Sequence, residues 1–398
     1  MVKSYLRNKT ALPRMLWRRL KAVNTGTPAA RTIVRPLYRC LRPLNVGVIA
    51  VLFCLTLRGT AEASWSAGLP DAVFRLPAGA WASGMGGAAL AEPEQMISWY
   101  NPARLPLLRD RRASLGAGVR SLGRTEGWAS YDFRVPPRMG MGVSFVYRGD
   151  PFINDLYDGY YDDKGNLGFE NNLGGASMTA VSLNIGAGYI VSRKIAVGGS
   201  VAVNHQSLPA AFFHSSIENS SITSIGGLDI MASYRASPAL TLAGGVKNLM
   251  RRNSWHFNSY NNDFSPIVDE TVPPVFVLAS SRKTSLFERE LVWNVDAQSY
   301  FFDGEGKYLG HPEMVIATGA RWKFSEELYL RAGIGELDIS GGINRSTREY
   351  WETFSPRIAL GFSYNVKKFK QGAFFNYAVT TDRVWAGVDQ QFDLTVSF

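Results

Sequence analysis

Cysteine is almost missing from this 398-residue chain, and its two copies, Cys40 and Cys54, both lie near the amino end. The chain beyond them therefore has no disulfide, no thiolate nucleophile and no sulfur-ligated metal. Histidine is scarce too. His205, His214, His256 and His311 lack metal-ligand spacing and fall in or beside expected loops, so no metal site is expected. After residue 63 no apolar run is long enough for a membrane-spanning helix, which needs about 20 residues. The Gly84–Gly87 cluster lacks the spacing of a phosphate loop and does not follow an apolar strand. Only His205 with Ser207, and His214 with Ser215 and Ser216, hint at hydrolytic chemistry. Neighbouring His and Ser in a loop are not a catalytic constellation, so we expect no catalytic residues and no cofactor.

Excess positive charge is also missing from the body. The formal charge of +10 suggests a nucleic-acid partner, but 12 of the 43 basic residues and one of the 33 acids lie in residues 1–63. The remainder holds 31 basic and 32 acidic residues, which removes the nucleic-acid reading. Within that basic extension, residues 45–57 form an apolar run too short to span a bilayer, followed by Thr60-Ala61-Glu62-Ala63 with small residues at −3 and −1. The pattern is that of a signal peptide cleaved after Ala63, with a retained anchor helix as the alternative. Phe53 is too large for the lipobox position before Cys54, and Met15 is an alternative start.

What is present is alternation. In Val388–Phe398 one face reads Val388, Gln390, Phe392, Leu394, Val396, Phe398, and the other Asp389, Gln391, Asp393, Thr395, Ser397. Leu291, Trp293, Val295 and Ala297 likewise oppose Val292, Asn294, Asp296 and Gln298. Period two over about ten residues, with small and polar residues on the second face, suits a wall between lipid and an aqueous lumen. Fourteen such segments are expected: 113–122, 125–135, 139–148, 177–190, 193–206, 221–235, 239–248, 274–284, 290–301, 313–324, 327–336, 356–367, 371–381 and 387–398.

The links sort by length. Pro136-Pro137-Arg138, Ser192, Ala236-Ser237-Pro238, Ser325-Glu326 and Phe369-Lys370 are short, whereas 149–176, 207–220, 249–273, 302–312 and 337–355 are long. Short turns at one end and long loops at the other are the outer-membrane pattern, with the short side and both termini periplasmic, although the first and last links of the long side are short and break the rule. The expected fold is all-β: a transmembrane antiparallel β-barrel of about fourteen strands spanning 113–398. Closure leaves no unpaired edge in lipid. Trp322, Phe324, Tyr329, Phe374 and Phe375 near strand ends fit interfacial girdles. The loop containing Asp155, Asp158, Asp162, Asp163 and Asn166 is acidic; a solvated loop is the reading, a surface calcium site the alternative, and the EF-hand order is missing.

Residues 64–112 do not read as membrane strands. They hold Leu76-Pro77-Ala78-Gly79-Ala80-Trp81-Ala82-Ser83-Gly84-Met85-Gly86-Gly87-Ala88, then Glu92-Pro93-Glu94, then Trp99-Tyr100-Asn101-Pro102-Ala103-Arg104-Leu105. This order resembles the mature amino-terminal signature of the PorV/PorQ family, which is related to FadL-type outer-membrane channels. Glu92-Pro93-Glu94 departs from the family's acidic pairs. Gly226-Gly227-Leu228-Asp229-Ile230, Val246-Lys247-Asn248-Leu249 and Leu328-Tyr329-Leu330-Arg331-Ala332-Gly333 resemble later family strands more weakly. Phe392, Leu394, Val396 and the final Phe398 resemble the signal read by the barrel-assembly machinery. The resemblance implies a fourteen-stranded barrel whose amino-terminal segment sits in the lumen, with Gly84, Met85, Gly86, Gly87, Trp99, Asn101, Pro102 and Ala103 as plug or gating residues. The alternative is that the Asn-Pro-Ala motif merely caps a turn at the barrel entrance. Glycine allows close backbone approach, and Pro102 pushes Asn101 out of the helical region.

Two functions follow from that resemblance. One is transport or binding of hydrophobic small molecules, released sideways into the bilayer. The other is an outer-membrane component of a type IX-like secretion system that binds exported proteins. In that case Tyr157, Tyr160, Tyr161, Trp255 and Trp351 in the long loops suit protein contacts. Outer-membrane lipid and the barrel-assembly machinery are the remaining expected partners.

Overall fold

A computed structural model describes residues 72–153, 157–161, 167–172, 176–209, 217–259, 267–302, 311–338, 356–366, 372–381 and 387–398. The expected signal sequence with its Ala63 junction lies outside the described residues, as do Asp155, Asp162, Asp163, Asn166, His214 and Trp351.

The strands are β1 (Arg112–Val119), β2 (Thr125–Val135), β3 (Met139–Ile153), β4 (Tyr157–Tyr161), β5 (Leu167–Asn172), β6 (Ala176–Ile190), β7 (Ile195–Pro209), β8 (Ile217–Ser237) and β9 (Leu240–Leu249). There follow β10 (Arg252–Ser259), β11 (Ile267–Thr271), β12 (Val275–Leu286), β13 (Arg289–Phe302), β14 (His311–Lys323), β15 (Leu328–Asp338), β16 (Arg357–Val366), β17 (Ala373–Thr381) and β18 (Val388–Ser397). Fourteen of them close one antiparallel barrel. Each pairs with its sequence neighbours once β4, β5, β10 and β11 are set aside, and β1 pairs with β18 to shut the ring. All fourteen coincide with the expected segments.

The distribution of side chains is inverted relative to a water-soluble protein. Leu278 is 71 %, Leu115 69 % and Leu360 62 % exposed, whereas Asp296 is 0 % and Asp393 1 % exposed. Apolar surface on the outside and buried Ser, Asn, Asp and Arg on the inside are what a lipid-facing wall demands. Aromatic rings cluster where the strands meet the short turns. Trp322 lies 6.1 Å from Phe287 and 5.4 Å from Phe324, and Tyr329 lies 6.2 Å from Phe374. One two-residue turn there, Phe287-Glu288, has φ of 50° and 63°, the left-handed pair that suits the twist of such a hairpin.

Three expectations need correction. The long link 249–273 is not wholly loop: β10 and β11 form a hairpin that pairs with the overhanging first half of β8, so β8 begins before residue 221. β-rich residues such as Trp255 and Phe257 on β10 continue the ladder once β8 offers an edge. The link 149–176 likewise contains the β4–β5 hairpin, which carries Tyr157, Asp158, Tyr160 and Tyr161. Finally, His256 and His311 lie on strands rather than in loops: His256 on the added strand β10, and His311 because β14 begins two residues before the expected segment; His205 lies on β7, within the expected segment 193–206.

Candidate functional site

The lumen is filled by the segment before β1. It folds as α1 (Ala72–Arg75), α2 (Ala80–Gly84), α3 (Ile97–Tyr100) and a 3-10 helix, Pro102–Leu107. Such short helices leave most of their backbone amides and carbonyls without internal partners. Neither α2 nor α3 has a side-chain cap of its own. The barrel wall supplies the missing groups. Asp393 on β18 accepts from Ala80 N at 2.9 Å, at the start of α2. Asp132 on β2 accepts from Ile97 N and Ser98 N at 3.0 and 3.3 Å, at the start of α3. Asp296 on β13 takes Ala89 N and Leu90 N at 2.7 and 2.8 Å. Asp393 and Asp132 thus meet the backbone donors that open α2 and α3, and Asp296 takes two amides of the link between them. At the opposite pole of α1, Arg148 donates to Val73 O and, at 2.8 Å, to Leu76 O, and Arg120 donates to Pro77 O at 3.0 Å.

The two sequence motifs occupy the tightest passages. Met85, Gly86 and Gly87 form a turn against β14 and β15. A Cβ on Gly319 or Gly333 would collide with the Met85 backbone, and one on Gly86 would come within 2.6 Å of Ile334 N. Gly86 also has φ 66°, which disfavours any side chain there. A Cβ on Gly84 would stand 3.4 Å from the Gly361 Cα on β16. Asn101 is fully buried and extended, with φ −155° and ψ 90°. Its Oδ1 accepts from Ala103 N at 3.1 Å and its Nδ2 donates to Leu90 O at 2.8 Å, so one side chain starts the 3-10 helix and ties it to the middle of the plug. Pro102 and Ala103 press on Gly188 and Gly198 of β6 and β7. The Trp99 carbonyl accepts from Lys247 Nζ at 2.9 Å. Tyr100 OH donates to Ala78 O at 2.6 Å and accepts from Ala78 N at 2.9 Å, clamping the two ends of the plug together.

Two charge clusters bracket this plug. Toward the long-loop end Arg120 pairs with Glu126 at 2.7 Å and Asp389 at 3.0 Å, Arg148 with Glu126 at 3.3 Å, and Arg357 with Asp389 at 3.5 Å. Toward the short-turn end Glu92 pairs with Arg104 at 3.4 Å and Lys283 at 3.3 Å and accepts from Thr241 Oγ1 at 3.0 Å. Burial alone would raise the Glu92 carboxyl, but Arg104 and Lys283 outweigh it and hold it below its ordinary value. Burial lowers the Arg104 guanidinium despite Glu92, and burial pushes the Tyr100 phenol far up, so Tyr100 stays a neutral donor. Glu94 pairs with Arg321, and its carbonyl accepts from Arg112 at 2.9 Å. Beside it lies a cavity of about 150 Å³, whose lining includes Arg112, Arg321, Tyr329, Asn376 and Thr395.

The lumen mixes polar and apolar patches. From β18 round to β3 it presents the Arg120–Glu126–Asp389 network and Gln391. Met231, Val275, Val277, Tyr300 and Val315 on β8, β12, β13 and β14 join one buried apolar cluster with Leu90, Met96 and Trp99 of the plug, and Trp128 on β2 and Val146 on β3 belong to the same cluster. No group of metal-ligating side chains occurs among the described residues.

No protein-family model matches this chain, and no curated protein matches it. Solved structures do. The Pseudomonas putida toluene transporter TodX superposes with a TM-score of 0.51 at 13 % identity, covering 80 % of this chain and 97 % of TodX. The fold is that of a FadL-type barrel. The Ralstonia pickettii toluene transporter TbuX (TM-score 0.49, 13 % identity, 81 % of this chain and 98 % of that one) and a Pseudomonas aeruginosa FadL homologue (0.49, 12 %, 81 % and 98 %) are also similar.

The structure brings all eight motif residues of the plug into the lumen. Phe392, Leu394 and Phe398, by contrast, lie on the outward face of the closing strand. Phe398 N and O bond to Arg111 O and N at 3.0 Å, so the final residue completes the seam with β1. The sequence reading missed the three aspartates that seat the plug. Asp296 and Asp393 stood on polar faces like any lumen residue, and their partners are backbone amides, which leave no pattern in sequence.

Proposed function

We propose that this protein is an outer-membrane channel that takes up hydrophobic small molecules past a seated amino-terminal plug, with the short turns on the periplasmic side. The observation that carries this is the buried apolar cluster in which Met231, Val275, Val277, Tyr300 and Val315 of β8, β12, β13 and β14 meet Leu90, Met96 and Trp99 of the plug. An apolar ligand entering from the long-loop end would find there a surface of its own chemistry. Its onward passage requires the plug to shift, and wall carboxylates hold the plug backbone through hydrogen bonds that local rearrangement can exchange. The likeness to structures of toluene transporters supports the same reading. Barrel insertion through the carboxy-terminal strand belongs to this proposal as well. The PorV-like secretion reading gains no separate support.

The test is uptake of a monoaromatic hydrocarbon or another apolar probe by proteoliposomes. Wild-type protein is expected to accelerate uptake over empty vesicles, and Val277→Asp, which places an uncompensated charge in that cluster, to abolish it while the barrel still folds. Removing residues 72–108 is expected to convert a quiet barrel into an ion-conducting one. Equal uptake by wild type, Val277→Asp and empty vesicles would overturn the reading.

A further inference from the structure

Three consecutive turns at the short end carry a concentrated basic patch. Arg134 and Arg138 belong to the β2–β3 turn, Arg193 and Lys194 to the β6–β7 turn, and Arg235 to the end of β8; all five are exposed. These turns are physically joined. Ile190 N donates to Arg138 O at 2.9 Å, and Arg235 N to Lys194 O at 2.8 Å. Arg134 is held in place by donating to Pro137 O at 3.0 Å. No acid occurs in residues 134–140, 188–196 or 234–240, so nothing within these turns neutralises the patch. The neighbouring end of the barrel differs. There Glu290 pairs with Arg321 at 2.9 Å, and Glu326 pairs with Lys323 at 2.8 Å and Arg289 at 4.0 Å.

The level of the patch is fixed by its neighbours. Tyr189 and Tyr234 are 44 % and 41 % exposed, and Val191 and Ile195 lie outward beside them. Amphipathic aromatics between an apolar belt and charged turns mark the plane of lipid headgroups. Five cations at that plane would face phosphates, and the apolar strand faces below them acyl chains.

We infer that Arg134, Arg138, Arg193, Lys194 and Arg235 form a binding site for the headgroup of an anionic phospholipid in the leaflet at the short-turn end. Phospholipid rather than lipid A follows from the orientation proposed above, which this inference shares. Arginine forks suit phosphate oxygens, and basic clusters at a membrane surface select anionic lipid. The site would tether the arc of wall next to the plug's Asn-Pro-Ala motif to a fixed depth.

The experiment places the full-length protein in nanodiscs of phosphatidylcholine doped with phosphatidylglycerol or with lipid A. Bound lipid is counted by native mass spectrometry. Wild type is expected to enrich phosphatidylglycerol over phosphatidylcholine by at least about five-fold, the factor that one basic residue at an anionic surface brings. The triple variant Arg138→Gln/Arg193→Gln/Lys194→Gln, which keeps Arg134 and Arg235, is expected to lower that enrichment at least about five-fold below wild type, and Arg289→Gln to leave it at the wild-type level. Heat-modifiable gel mobility checks that each barrel is folded. Enrichment undiminished in the triple variant, or absent from wild type, overturns the site. Enrichment of lipid A alone overturns the phospholipid assignment and, with it, the orientation. Apolar-probe uptake measured on the same proteins separates the two proposals: weakened lipid preference with uptake intact is the expected result for the triple variant, and uptake failing in wild type would sink only the transport reading.

Discussion

Glu92 is the plug residue whose charge state matters most at its short-turn end. Its carboxyl sits below its ordinary value of 4.5 because Arg104 and Lys283 outweigh the effect of burial. A depressed carboxyl contributes stability that is fully present above the unfolded value and is lost as pH falls through the folded one. Acidification below about pH 4.5 is therefore expected to loosen this end of the plug, read as rising channel conductance or protease access to residues 80–105. Glu92→Gln should remove the acid-side step; an unchanged profile in that variant would exclude Glu92 as its source. Asp296 acts differently, through the two amides it accepts at 2.7 and 2.8 Å. Asp296→Ala leaves Ala89 N and Leu90 N unpaired inside the lumen and is expected to weaken plug seating by about 1–3 kcal/mol. Limited proteolysis should then cut the plug while the barrel's own melting stays in place. Coincident loss of both would show that plug and wall are a single cooperative unit.

Among the elements, β15 shows how wall and plug were fitted to one another. Gly333 faces inward against the Met85 backbone, while Leu330 faces outward, partly exposed. Gly333→Val would fill the space that the Met85–Gly87 turn occupies, and because backbone rather than a flexible side chain lies opposite, the turn must leave. A folded, heat-modifiable barrel with an unseated and conducting plug is the expected result; a quiet channel would mean the turn can relocate inside the lumen. The same strand explains what the sequence made legible. Period two alone locates β15 and its thirteen partners in the ring, because each strand must present one face to lipid and one to the lumen. It could not locate β10 and β11. Their pairing depends on the overhang of β8, a tertiary edge that no local pattern announces. The plug divides similarly. Gly86 and Asn101-Pro102 were readable because strained or proline-limited backbone constrains residue type, whereas Asp132, Asp296 and Asp393 were not, since a carboxylate serving a backbone amide looks like a solvated one.

For the whole molecule, the inverted distribution of polarity requires that substitutions cost according to the face they occupy rather than their burial. In a water-soluble protein an exposed leucine accepts arginine at little cost. Leu278, 71 % exposed and mid-strand on β12, faces outward between neighbours Gly244 and Ala297. If that surface is in lipid, Leu278→Arg should destabilise the barrel by about 2–4 kcal/mol in bilayers near the midplane. An inward position three residues along β12 provides the contrast. Ser281 already shares the lumen with Lys283 and Glu92, so Ser281→Asn changes polar for polar and is expected to leave stability in bilayers nearly unchanged. Urea unfolding in large vesicles measures both. A large loss for Leu278→Arg in bilayers that shrinks in detergent micelles, where the charge can reach water, would identify the belt as membrane-embedded. An equally small loss in both media would mean that the apolar surface of this barrel is covered by something other than lipid.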